Sequence, residues 1–161
     1  MSDVLNVGIV GLGRSGWNIH AAGLAGLPEL YRIAAVADPD PERRAEAEQK
    51  LGCAAYEQPA ELFADPEIDL VTVANPSHAH VATALAALAA GKHVVIEKPV
   101  ASSTEEVDQL LDAAAEHDRL VAIMHAHHGQ SRETTQAVQG RELGFFHQVP
   151  CPPPLIKGVG I

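Results

Sequence analysis

The hexapeptide Gly11-Leu12-Gly13-Arg14-Ser15-Gly16 constrains this chain more than any other segment. Its spacing is GxGxxG. It directly follows an apolar run, residues 4–10, and opens a segment with helical periodicity. A glycine turn between strand and helix leaves free amides at the helix start, where they and the helix dipole can hold an anion. Gly11 suits the tight turn. Gly13 lets a diphosphate approach the backbone, and Gly16 lets the helix pack closely on the strand. Leu12, Arg14 and Ser15 complete the loop, so all six residues are candidate cofactor-binding positions. The competing reading is a tight turn that only needs glycine. The strand-to-helix context and an acidic residue downstream speak against it.

The rest of the chain repeats the same alternation. Apolar runs at 32–37, 54–56, 70–74, 93–97 and 120–124 read as strands. Helical patterns lie between them, at 15–27, 41–51, 59–64 and 77–90. A fifth, capped by Ser102 or Ser103, runs to about 117. Pro41 suits a first helical turn and Gly52 a helix end. Short connections between alternating strands and helices predict βαβ units and a doubly wound parallel sheet, the Rossmann type of α/β fold. The Ala-rich segment 82–90 is expected to pack tightly on that sheet.

Composition narrows the function classes. A chain of 161 residues with 47% hydrophobic residues folds without staples, burying roughly 70% of its unfolded surface. The formal net charge of -10 repels phosphate backbones, so nucleic-acid binding is not expected. Cys53 and Cys151 form no CxxC, which argues against a disulfide framework or a cysteine zinc site. No membrane span and no signal peptide are read, and a cytoplasmic setting is the default expectation.

Ligands of an open parallel sheet sit at the C-terminal strand ends. Asp38, 22 residues after Gly16, has the spacing of a carboxylate that accepts hydrogen bonds from ribose hydroxyls. The other reading of Asp38 is a helix cap before Pro41. A carboxylate there repels a 2′-phosphate, which favours NAD over NADP. Arg14, Arg43 and Arg44 are the counter-evidence. Two further sites follow later strands: the turn around Asn75, Pro76 and His80, and Glu97-Lys98-Pro99. A lysine at such a place can present its ammonium to a substrate hydroxyl or exchange a proton. The plain alternative is a solvated loop charge.

The glycine loop, the VADP segment at Asp38, the NPSHAH turn and the run GKHVVIEKP resemble the N-terminal half of the Gfo/Idh/MocA oxidoreductases. The likeness spans residues 4–124, and GKHVVIEKP is its most specific piece. It implies an NAD(P)-dependent enzyme that moves a hydride between nicotinamide and a sugar- or polyol-like hydroxyl. It implies that Gly11, Gly13 and Gly16 hold the dinucleotide and that Asp38 takes the ribose. Asn75 and Pro76 match the turn beside the nicotinamide half. His80, eleven residues before Gly91, matches the family histidine, rather than His78. Glu97 is implied to contact the cofactor or brace the loop. Lys98 matches the catalytic lysine, before a Lys98-Pro99 bond that is cis in relatives.

The resemblance also marks departures. Family members carry a second α/β domain that covers the nicotinamide, holds substrate and often mediates oligomerisation. Only a stump of it is expected here. Residues 1–124 are read as the dinucleotide-binding domain, and 125–161 as a linker with a truncated or atypical start of the second domain. Residues 140–149 resemble the start of its first strand. The last dozen residues are expected to be poorly ordered. The alternative function is a non-catalytic dinucleotide-binding module or truncated remnant. A homo-oligomer, or a partner chain supplying the missing domain, is a further expectation. His125, His127 and His128 make poor tetrahedral geometry, so no metal site is assigned.

Overall fold

The computed structural model describes residues 4–124. Strand β1 (Leu5–Val10) leads through the glycine loop into a π-helical turn (Gly16–Ala21), which continues as helix α1 (Ala22–Ala25). Then follow β2 (Tyr31–Ala37), α2 (Pro41–Leu51), β3 (Ala54–Tyr56), α3 (Pro59–Ala64) and β4 (Leu70–Val73). A single 3-10 turn (Ser77–Ala79) precedes α4 (His80–Ala89). Strand β5 (His93–Glu97), helix α5 (Thr104–Glu116) and strand β6 (Val121–Met124) complete the series.

The six strands form one sheet in the order β3-β2-β1-β4-β5-β6, and every pair is parallel. This is the Rossmann-type doubly wound sheet that the alternating pattern implies. The order reverses between β1 and β4, so their C-terminal ends diverge into helices on opposite faces and leave a crevice.

Strands buried on both faces explain the continuous apolar runs. Helices α3, α4 and α5 cover one face, where Leu62, Leu88, Ile96 and Leu110 are buried against β1, β4 and β5. Ala84 and Ala87 let α4 approach the sheet closely, and neither is exposed at all. The other face buries Ile9, Leu12, Val36 and Ala47 under the π-helical turn and α2.

Local chemistry sets the helix ends. The Asp40 side chain accepts from the amide of Glu42 at 2.9 Å and opens α2, with Pro41 in the first turn. Asp40, and not Asp38, is therefore the cap. Gly52 closes the helix in the left-handed conformation. Of the two serines, Ser103 caps α5, through the amide of Glu106 at 3.3 Å.

Two segments depart from the simple pattern. The helix expected at 15–27 is a π turn followed by a short α-helix that ends at Ala25. The carbonyl of Leu27 instead closes a turn, accepting from the amides of Leu30 and Tyr31. Within the π turn His20 faces inward, 5% exposed, while Ile19 is 40% exposed. The helix expected at 77–90 begins with one 3-10 turn, because the stretch after Pro76 closes through the amide of Ala79 onto the Pro76 carbonyl. The stretch read as a second-domain start, the histidines at 125, 127 and 128, and Cys151 lie outside the described residues. Among those residues no helix is long and apolar enough to cross a membrane.

Candidate functional site

A cleft of about 500 Å³ opens at the C-terminal ends of β1, β2 and β4, where the strand order reverses. Its walls include Gly11, Gly13, Asp38, Arg43, Asn75 and Pro76.

The three glycines of the loop serve three different ends. Gly11 adopts φ +91°, and a Cβ there would stand 2.6 Å from the amide nitrogen of Asn75. Both facts exclude a side chain. A Cβ on Gly16 would overlap the carbonyl of Gly11. Gly13 differs: a Cβ there would meet no atom of the protein within 4 Å. Neither backbone strain nor a protein neighbour calls for glycine at 13. Open space over the amides of a loop that enters a helix suits a phosphate group.

Asp38 stands at the end of β2, 3% exposed, with both carboxylate oxygens engaged. The amide of Leu12 donates to Oδ2 at 2.6 Å, and that of Asp40 to Oδ1 at 2.9 Å. The carboxylate thus ties the glycine loop to the entry of α2 while lining the cleft. The three arginines behave differently. Arg14 is exposed. Arg44 donates to the carbonyls of Asp38 and Pro39 at 2.8 and 3.0 Å. Arg43 is half-exposed and lines the cleft, 3.6 Å from Asp38 Oδ2.

The turn after β4 contributes Asn75. Its Nδ2 donates to Thr83 Oγ1 at 2.8 Å, while its Oδ1 is buried without a hydrogen-bond partner. A buried, orphaned amide oxygen is costly unless a ligand satisfies it. His80, 2% exposed, does not line the cleft. Its ring nitrogens lie 2.8 Å from the carbonyls of Asn75 and Pro99, so it braces the turn from below. His78 is exposed.

Glu97 and Lys98 stand one strand further on, at the end of β5, outside the walls of the cleft. Glu97 is buried, and its Oε2 accepts from the amide of Lys98 at 3.1 Å. Lys98 is exposed, and among the described residues no acceptor takes its ammonium. The Lys98-Pro99 peptide bond is cis.

Sequence reasoning missed His20. Its Nε2 lies 2.9 Å from Glu97 Oε1, with both side chains buried. Burial lowers the His20 pKa, against the opposing pull of the Glu97 carboxylate. The signal was present, since His20 shares an inward-facing stripe with the partly buried Trp17 and Leu24 at spacings of three and four.

A doubly wound parallel sheet with a glycine loop and an acidic β2 terminus at its crevice defines a dinucleotide-binding domain. Residues 5–125 match the Gfo/Idh/MocA family, an oxidoreductase family with an NAD-binding Rossmann fold, and the chain belongs to that family. The myo-inositol 2-dehydrogenase of Thermotoga maritima is 30% identical in an alignment of 160 positions that covers 94% of this chain and 47% of that protein. The NADP(+)-dependent scyllo-inositol 2-dehydrogenase of Bacillus subtilis is 36% identical over 124 residues, covering 76% of this chain and 34% of the relative. The crystal structure of apo scyllo-inositol dehydrogenase from Lactobacillus casei superposes with a TM-score of 0.68 at 30% identity, over 75% of this chain and 37% of that one. The chain spans less than half the length of these relatives.

Proposed function

We propose that this chain forms the cofactor-binding half of a dehydrogenase that interconverts a sugar- or polyol-like secondary alcohol and its ketone, with NAD preferred over NADP. The observation that carries the reading is the open space over Gly13 in the crevice where the strand order reverses. The residues present fit a dinucleotide. The amides of the glycine loop would hold its diphosphate. The second lone pairs of the Asp38 carboxylate would accept the ribose hydroxyls, and its charge disfavours a 2′-phosphate. The orphaned Oδ1 of Asn75 would accept a donor from the bound molecule.

When bound, the nicotinamide supplies a hydride acceptor or donor at C4. The chain's own contribution to the chemistry is Lys98. Its exposed amine, at the mouth of β5, would orient the substrate hydroxyl and hold or release its proton. Substrate selection rests on residues beyond the Rossmann domain, from a second domain in cis, a partner chain or a second copy. The inositol dehydrogenases among the relatives support a polyol-like substrate.

Titration of the 161-residue chain with NADH and NADPH, followed by nicotinamide fluorescence, tests the reading. Saturable NADH binding that Asp38→Ala weakens and Lys98→Ala leaves intact supports it. Tighter NADPH binding overturns the NAD preference. Supplying a second domain then separates the enzyme from a binding module, because only the enzyme gains turnover, and only with Lys98 present.

A further inference from the structure

Two buried histidines hold the segment around Lys98, one through the Glu97 side chain and one at the Pro99 carbonyl. His20 comes from the π turn that follows the glycine loop, and its Nε2 lies 2.9 Å from Glu97 Oε1. The second oxygen of Glu97 takes the Lys98 amide at 3.1 Å. His80 opens α4, and its Nδ1 lies 2.8 Å from the carbonyl of Pro99. Its Nε2 lies 2.8 Å from the carbonyl of Asn75. His20, Glu97 and His80 are 5%, 6% and 2% exposed. The lysine between these anchors is exposed.

We propose that His20 and His80 are positioning residues: together they clamp the backbone before and after Lys98 and tie it to the two loops that border the cofactor crevice. The inference rests on the reading of Lys98 as the proton-handling residue. Three physical arguments support it. A lysine side chain has long rotatable reach, so its placement depends on how firmly its backbone is held. His20 spends Nε2 on the Glu97 carboxylate and His80 spends both ring nitrogens on loop carbonyls, where core packing alone would ask only for apolar contact. The two anchors also start from opposite sides of the point where the strand order reverses, so a shift in either cofactor loop reaches the Lys98 segment, through His20 and Glu97 from one side and through His80 from the other. Carbonyls only accept, so His80 supplies an N–H to each of them only when doubly protonated, and a neutral ring satisfies one. Burial lowers the His20 pKa, consistent with a neutral ring donating to a Glu97 carboxylate.

Amide hydrogen exchange of the full chain without nucleotide tests the clamp. His20→Ala and His80→Ala should speed exchange of the Lys98 amide, which Glu97 holds at 3.1 Å, about tenfold, leaving β2 and β3 at wild-type rates. His20→Gln and His80→Gln, which still donate an N–H, should restore that amide to within about threefold of wild type. Should an alanine variant fail to fold, asparagine replaces it, since its amide is too short to span the same contacts. A uniform rise in every strand, unchanged exchange around Lys98, or no rescue by glutamine overturns the proposal. NADH titration of the same samples keeps the two readings apart. A wild-type chain that binds neither nucleotide defeats the proposed function, while the exchange data still decide the clamp.

Discussion

The carboxylate of Asp38 reaches across 26 residues to take the amide of Leu12 at 2.6 Å. The same carboxylate accepts from Asp40 at the entry of α2. One acidic side chain therefore shapes the glycine loop that it touches. Asp38→Ala strands a buried amide. It should cost about 1–3 kcal/mol of stability in urea unfolding. If Asp38 takes the ribose as proposed, the NADH dissociation constant should rise about tenfold or more, because loop and ribose contact are then lost together. Wild-type affinity in this variant would remove Asp38 from the binding site.

Gly13 and Gly16 separate binding from folding. Gly16 sits against the carbonyl of Gly11, so Gly16→Ala forces the loop apart and should lower the melting temperature clearly. A Cβ on Gly13 meets no protein atom. Gly13→Ala should keep stability to within about 1 kcal/mol and still lose NADH binding. Calorimetry and fluorescence titration on the two variants check the contrast. A Gly13→Ala chain that binds NADH normally would show that nothing occupies that space.

His93 makes stability depend on pH. Its Nδ1 accepts the amide of Leu120 at 3.0 Å, a role only an unprotonated nitrogen can fill. Burial, and then the nearby Arg119 guanidinium, push its pKa down to about 4. In the unfolded chain the ring titrates near its ordinary value of about 6.5. Between these values the unfolded state binds more protons, so stability rises with pH across the window. It is complete above the unfolded value and is lost as pH falls towards the folded one. His20 shifts the same way, for the same leading cause, burial. With the His93 ring partly open to solvent, its share is about 1–2 kcal/mol. Thermal melts over this window should flatten in His93→Asn, which keeps an acceptor for Leu120 but does not titrate. An identical pH slope in both chains would assign the loss to other groups.

Leu88 tests the packing that holds α4 on the sheet. It is fully buried, in one cluster with Leu62, Val73 and Ile96. Leu88→Ala should cost about 2–5 kcal/mol by urea unfolding, through lost transfer energy and the cavity left behind. Because α4 also carries His80, amide exchange near Pro99 should rise in parallel.

The local part of this structure is written in short stretches of sequence. Buried parallel strands need apolar runs such as those of β4 and β5, and GxGxxG at a strand end has one common use. Pro41, Gly52 and Ser103 mark helix ends because capping is a contact between near neighbours. The family resemblance likewise rests on contiguous motifs, and residues 5–125 carry the family match. The π turn was not legible, because its 16–21 stretch has an ordinary apolar stripe and the choice between hydrogen-bonding patterns depends on what that stripe packs against.

The sequence by itself therefore determined the order of the elements, the open parallel sheet and the loop that faces the crevice. Only the tertiary structure decided how the side chains divide their work. It brought His20 to Glu97 across 77 residues and His80 to Pro99 across 19. It turned Asp38 towards Leu12 and left Asn75 Oδ1 buried and unpartnered. Those pairings need strands adjacent in space but distant in the chain, and no local propensity encodes which buried polar group will find which partner.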